Sequence, residues 1–423
     1  MFKSVLLFIL CFVSVNSLTA KQSDGTSVVI NGIVRDAENK KTIENVSISL
    51  PGTHIGTVSN ADGSFSLKVP EEYATGDIKA EQLGYFSSIS SIPGLMKNGS
   101  NVTILMKSSA KMLKEVVVHG GKPEEIVAQA IKKIPLNYSS DNSLFTAFYR
   151  ETVQKGKRYI GVSEAMVDVY KTPYSRRVSN GERVQIKKGR RLISQNNRDT
   201  LSVKIVGGPT LPVILDFVKN SDFLFGYDDL DLYKFSMEKP VSIDERMQYV
   251  IRFTPKVRLD YAMCHGLLYI DQETLSFSKA EFDLDMSDKG KATNAILRKK
   301  PRGLHFKPQE VAFTVTYKLV DGTSYLNYIR TKTRFKCDWK RKLFSSGYTT
   351  YAEMVMVDRV DSPEAGISRK LAFGNNEIFY DKVDNYWDND FWNDYNIIEP
   401  TESLEKAVLK LRKNNASVMA LYP

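Results

Sequence analysis

From Val28 to Lys107, apolar and polar residues alternate over short runs broken by turn chemistry: "VVINGIVRD", "NVSISLPGT", "GSFSLKVP", "DIKAEQLGYFSS" and "NVTILMK". Alternation at period two puts every second side chain on one face, as in half-buried strands. Asp62-Gly63 sits between two such runs, and glycine accepts the positive φ of a tight hairpin turn. Short strands, turns and no helical periodicity predict a β-sandwich over residues 27–118.

The pattern then changes. Over 119–143 the spacing predicts a linker and a helix that starts at Pro123. Glu124 and Glu125 complement its dipole, and Ile126, Val127, Ala130, Ile131 and Ile134 form one apolar stripe. Residues 144–360 return to alternation in longer runs, among them "RYIGVSEAMVDVY", "HGLLYIDQETLSFSKAEFDLDM" and "EVAFTVTYKLVDGTSYLNYIRTKTRFK". One helix interrupts them, with Thr210 as its cap, Pro212 in its first turn and Val213, Ile214, Phe217 and Val218 on one face. These runs predict a curved antiparallel sheet or half-barrel, so the fold class expected is mainly β with a few helices. Residues 361–423 read as an acidic, aromatic strap and a last helix that Thr401 caps, with Leu404, Val408 and Leu411 as its stripe.

The first region also carries a recognisable motif. "INGIVRDAENKKTIENVSISLPGTHIGTVSNADGSFSLKVP" resembles the carboxypeptidase-regulatory-like, transthyretin-like domain common on exported Bacteroidetes proteins. Gly32, Val34, Asn45, Val46, Gly52, Thr53, Thr57, Asp62, Gly63, Phe65 and Leu67 match its pattern, while Ser47 and Ser49 depart mildly from it. The resemblance implies a seven-stranded-type sandwich and says little about activity. "LLYIDQETLSFSKAEFDL" is similar to the strand-turn-strand unit of the envelope lipoprotein-carrier fold, which implies a sheet around an apolar cavity. "LKEVVVHGGKPEE" is similar to the strand that leads into a plug and a long transmembrane barrel in receptors, and the chain is too short for that barrel.

The opening "MFKSVLLFILCFVSVNSLTA" has Lys3, an apolar run and small residues near Ala20, which reads as an export leader over residues 1–20. No later segment is apolar enough to span a membrane, so the expected location is the periplasm or the outer membrane. The net charge of +10 over 423 residues suits an anionic partner, and since an exported protein rarely meets nucleic acid, anionic lipid, lipopolysaccharide or an envelope protein is expected. Cys264 and Cys337 remain after the leader, enough for one disulfide or two buried thiols.

Catalytic chemistry finds no support in the motifs. Zinc peptidases need a histidine followed three residues on by glutamate and a distant second histidine, and none of the four histidines offers that spacing. "GVSEA" at 161–165 lacks the closing glycine of a nucleophile elbow. No phosphate-cradling glycine loop is present. Glu281, Asp283 and Asp285 alternate with Phe282, Leu284 and Met286 and read as the solvated face of a strand. The tail "YWDNDFWNDYNIIEP" lacks the glycine and ligand spacing of a calcium loop, since Asp388 and Asp390 are followed by Trp392 and Asn393. No metal, cofactor or catalytic residue is assigned.

The hairpin at 311–336 carries the candidate binding face. With Asp321-Gly322 as a two-residue turn, Tyr317 faces Leu326, Val315 faces Tyr328 and Phe313 faces Arg330. One sheet face would then grade from Phe313, Val315, Tyr317, Leu326 and Tyr328 to Arg330, Lys332, Arg334 and Lys336, a surface suited to an amphiphile with an anionic head. The register is critical, because a one-residue slip separates the two sets. The function expected is a non-catalytic envelope protein binding an apolar or anionic amphiphile or a partner protein. A glycan-binding or glycan-processing protein and a structural adaptor for outer-membrane assembly are the alternatives. The strap is expected to lie across a basic part of the sheet, with 330–336 as one landing place.

Overall fold

The structure, a computed structural model, describes residues 27–419 apart from 98, 100, 110–120, 179–180, 195–200, 226, 244, 340–344 and 388–394. The segment read as an export leader (1–20), the "LKEVVV" stretch, Phe391 and Trp392 lie outside the described residues.

Seven short strands make the N-terminal sandwich. Strands β1 (Ser27–Asp36), β4 (Ser64–Pro70) and β7 (Asn101–Met106) form one sheet, in the order β4-β1-β7. Strands β2 (Ser47–Ser49), β3 (Gly56–Val58), β5 (Asp77–Glu81) and β6 (Ser88–Ser91) form the other, in the order β3-β2-β5-β6. Alternation decides what lies between them: Ile30, Val34, Phe65, Leu67 and Ile104 from the first sheet meet Ile48, Ile78 and Ala80 from the second, all buried. Gly63 takes a φ of +77° in the turn before β4, as its place after Asp62 requires.

Eleven strands make the second, wholly antiparallel sheet. They are β8 (Ser143–Lys155), β9 (Arg158–Lys171), β10 (Arg183–Ile193), β12 (Tyr233–Met237), β13 (Val241–Ile243), β14 (Arg246–Pro255), β15 (Cys264–Asp271), β16 (Phe277–Leu284), β18 (Leu304–Val320), β19 (Thr323–Trp339) and β20 (Ser346–Asp361). Their order is β10-β9-β8-β20-β19-β18-β16-β15-β14-β12, with β13 on β14. The sheet is open, and β20 enters between β8 and β19, which are remote in sequence. A separate two-stranded ribbon pairs β11 (Lys204–Ile205) with β17 (Leu297–Lys299).

The two faces of this sheet have different partners. Its inner face packs on the helix Pro123–Lys132, whose stripe is Ile126, Val127, Ala130 and Ile131, and on Val213, Leu215 and Phe217. Its outer face carries the sandwich and the C-terminal segment: Val58 and Ile398 pack there against Phe148, Met166, Tyr328, Val355 and Val357. Thr210 lies inside its short helix, Thr210–Leu215, rather than capping it. Thr401 does cap the last helix, Glu402–Met419, by accepting the Leu404 N–H at 3.2 Å. Cys264 and Cys337 are buried free thiols.

The β18–β19 hairpin turns as expected and then departs from the predicted register. Asp321 and Gly322 both have positive φ, Val320 pairs with Thr323, and Tyr317 pairs with Leu326. A β-bulge at Asn327 then shifts the strands by one residue, so Thr316 pairs with Tyr328, Val315 with Ile329 and Phe313 with Thr331. The pairs expected between Val315 and Tyr328 and between Phe313 and Arg330 do not form. Because side chains alternate strictly, that one residue sends the apolar and basic sets to opposite faces.

Candidate functional site: a hollow on the inner face

Phe313, Val315, Tyr317 and Leu326 belong to the inner core. Phe313 stacks on Phe282 with ring centroids 5.1 Å apart, and the Tyr317 hydroxyl donates to Asp216 Oδ1 at 2.6 Å. Asp216 also takes the Lys171 ammonium at 2.6 Å and the Tyr174 hydroxyl at 2.8 Å, so Tyr317 is one spoke of a buried polar network. Tyr328, Arg330, Lys332, Arg334 and Lys336 line the outer face instead. There, Arg330 enters a row of alternating charge that crosses five neighbouring strands in register: Arg190, Glu164, Arg150, Glu353 and Arg330. Glu310 holds Lys332 at 2.7 Å and Arg334 at 3.2 Å, and Lys336 is exposed. The structure therefore does not bring these residues together on one amphiphilic surface.

On the opposite face from that charge row, the sheet is hollow. The two rows next to it read Ser163–Glu151–Ala352–Thr331–Phe313 and Gly161–Val153–Thr350–Thr333–Val311 across β9, β8, β20, β19 and β18. Most of these side chains are small, and a close-packed interior cannot be filled from a floor of Gly, Ser, Ala and Thr. What remains is a cavity of about 400 Å³, inside the usual range for small-ligand sites. Leu201, Val203, Ile205 and Leu211 wall it from the β11 segment, and Ile378, Phe379 and Tyr380 wall it from the C-terminal segment.

One acid faces the hollow. Glu151 Oε1 accepts the Tyr149 hydroxyl at 2.6 Å and the Gly208 N–H at 2.6 Å. Among the described residues no donor reaches its Oε2. Gly208 has φ +93°, a left-handed backbone that only glycine adopts freely, and this turn aims its N–H at the carboxyl. Burial pushes the Glu151 carboxyl above the usual carboxylate range, and the bonds from Tyr149 and Gly208 pull it back only in part. Lys204 is the one basic side chain among the described lining residues, and Asp381 takes its ammonium with both oxygens, at 2.6 and 2.7 Å.

The acidic strap passes by the edge of the sheet beside this hollow. Val383 packs on the inner side near Gly189, Trp387 bridges to Gly189 of edge strand β10, and Arg191 pairs with Asp384 and donates to the Tyr380 carbonyl at 2.9 Å. By Asn396 the chain is on the outer side. Asn396 bonds the Lys68 backbone, Thr57 donates to the Ile397 carbonyl at 2.8 Å, and Arg150 donates to the Ile398 carbonyl at 2.8 Å. The described part of the strap therefore lies elsewhere than the expected landing place at 330–336: it meets Arg150, Arg191, Lys204 and the sandwich, Arg150 and Arg191 donating to its backbone carbonyls and Lys204 to Asp381.

The carrier-like hairpin implied an apolar cavity against the sheet, but no motif located it. Its signal was the small residues at 161 and 163, with 331, 333, 350 and 352, at strand alternation, together with the Gly207-Gly208 pair.

Comparison with known proteins places the N-terminal part. Residues 30–118 match the CarboxypepD_reg-like domain family, so the sandwich is of that kind. No curated protein matches the chain. Among solved structures, a DUF1329 family protein from Desulfovibrio piger ATCC 29098 is 14% identical, the match covering 59% of this chain and 96% of that one at a TM-score of 0.25. MucB in complex with MucA(peri) is 11% identical, with 58% and 100% covered at a TM-score of 0.15. Both likenesses are shallow. Among the described residues no helix is long and apolar enough to cross a membrane, and no cluster of His, Cys, Asp or Glu is arranged to hold a metal ion.

Proposed function

We propose that this chain is a non-catalytic envelope protein that holds an amphiphile in the inner hollow of its large sheet. The sandwich and the C-terminal segment serve as a scaffold on the outer face. The observation that carries this reading is the hollow itself: about 400 Å³, floored by small side chains and walled by Leu201, Val203, Ile205 and Phe379. Burying an acyl chain there gains about 25 cal/mol per Å² of apolar surface. A single acid without a second acid or a histidine among the described lining residues suits binding better than paired acid–base catalysis. The setting in the envelope follows from the export leader and the basic balance.

The test is organic extraction of the protein purified from its native envelope, followed by mass spectrometry. Stoichiometric lipid in the wild type, lost in Ala352→Leu/Ser163→Leu with circular dichroism unchanged, supports the reading. A clean wild-type extract, together with no thermal shift on adding medium-chain amphiphiles, overturns it.

A further inference from the structure

We propose that Glu151 is the head-group contact of this hollow, and that it selects an amphiphile ending in a hydrogen-bond donor, an alcohol or an amine, over one ending in a carboxylate. The inference rests on the reading of the hollow as a ligand site. Its basis is the placement of one carboxyl group. Tyr149 and Gly208 both donate to Oε1 and fix the group, while Oε2 has no donor among the described residues. A partly buried acceptor without a partner is costly, and a ligand hydroxyl or ammonium supplies the missing donor. Ser163, the direct cross-strand neighbour of Glu151, offers a neutral hydroxyl beside it, and Thr331 lies two strands away in the same row.

A carboxylate head finds the opposite situation. The one basic side chain at the wall, Lys204, is neutralised by both oxygens of Asp381. A ligand carboxylate would leave water to sit beside Glu151 with no free cation among the described lining residues, and an ion buried without a counter-charge is strongly disfavoured. The hollow thus reverses the preference expected from the chain's positive net charge. Glu151 also staples the Gly207-Gly208 turn, but a glutamine would do that equally well, because its carbonyl oxygen accepts from Tyr149 and Gly208.

The test uses the delipidated full-length mature protein and three chain-matched probes, dodecanol below its solubility limit and dodecylamine and dodecanoate below their micelle concentrations. Calorimetric titration of the wild type is expected to show dodecanol and dodecylamine binding about tenfold or more tighter than dodecanoate, the scale of one charge-assisted hydrogen bond. Glu151→Gln is expected to shrink that gap to about twofold with its melting temperature no lower than that of the wild type. Dodecanoate binding as tightly as dodecanol, or a gap that survives Glu151→Gln, overturns the role of Glu151. If all three bind equally and Ala352→Leu abolishes all three, that role falls while the hollow stands as a site. If none of the three binds, the hollow itself fails and this inference with it.

Discussion

Arg150 Nε meets Glu164 Oε1 at 2.7 Å, with the two side chains only 3% and 1% exposed. The other Glu164 oxygen takes Arg190 Nε at 2.7 Å, and Arg150 Nη2 donates to the Ile398 carbonyl at 2.8 Å. The sheet's charge row and the C-terminal segment are one hydrogen-bonded unit. Arg150→Met removes the central cation and leaves a buried carboxylate under-compensated, a change that typically costs about 3–5 kcal/mol. Urea unfolding of Arg150→Met against wild type reads that loss directly.

The same carboxylate sets an acid limit. Burial alone would raise the Glu164 pKa, but Arg150 and Arg190 outweigh it and hold the group below the ordinary glutamate value of 4.5. The stability that Glu164 contributes is therefore fully present above 4.5 and is lost as pH falls through the lowered folded-state pKa. Glu164→Gln should be less stable than wild type at neutral pH, and the difference should shrink on acidification.

Glu151 behaves in the opposite sense. Its folded-state pKa is raised above 4.5, so its contribution is full below that value and is lost as pH rises through the raised one. The gain in melting temperature of Glu151→Gln over wild type should grow from acid to neutral pH. A constant difference would mean that burial does not act on this group.

Two glycines separate open space from contact. A Cβ on Gly161 meets nothing closer than Val153 Cβ at 3.9 Å, because it points over the hollow. Gly161→Ala should therefore stabilise the protein by about 0.5–1 kcal/mol, the usual gain for replacing glycine in a strand. A Cβ on Gly266 would lie 2.1 Å from the Glu281 carbonyl oxygen, so Gly266→Ala should destabilise through forced backbone movement. Thermal melts of the two variants should move in opposite directions.

Lys332 checks the corrected face assignment. It sits on the outer face on Glu310, so Lys332→Glu should leave amphiphile affinity unchanged within about twofold while reducing stability by at most about 1 kcal/mol.

The sandwich was legible because its motif residues, Gly32 and Asp62-Gly63 among them, sit where the turn and packing geometry demand them. A Cβ on Gly32 would run into the Phe65 ring at 2.6 Å. The long strands of the second sheet were legible from alternation, and so was the Asp321-Gly322 turn. The bulge at Asn327 was not, since a bulge can form at an ordinary residue when the core on both faces demands the shift. An apolar cavity was implied by the carrier-like hairpin, but its place and its lining were hidden for a different reason. Both depend on β20 entering between β8 and β19, which sets Ala352 beside Glu151, and alternation reports a strand's faces but not its neighbours.

The most direct measurement is a methyl NMR titration of the full-length mature protein with dodecanol. Binding in the hollow shifts the methyls of Ala352, Val153 and Ile205 on the inner face and leaves Val355 and Val357 on the outer face unmoved. Shifts centred on Val355 and Val357, or no shifts at saturating dodecanol, would contradict it.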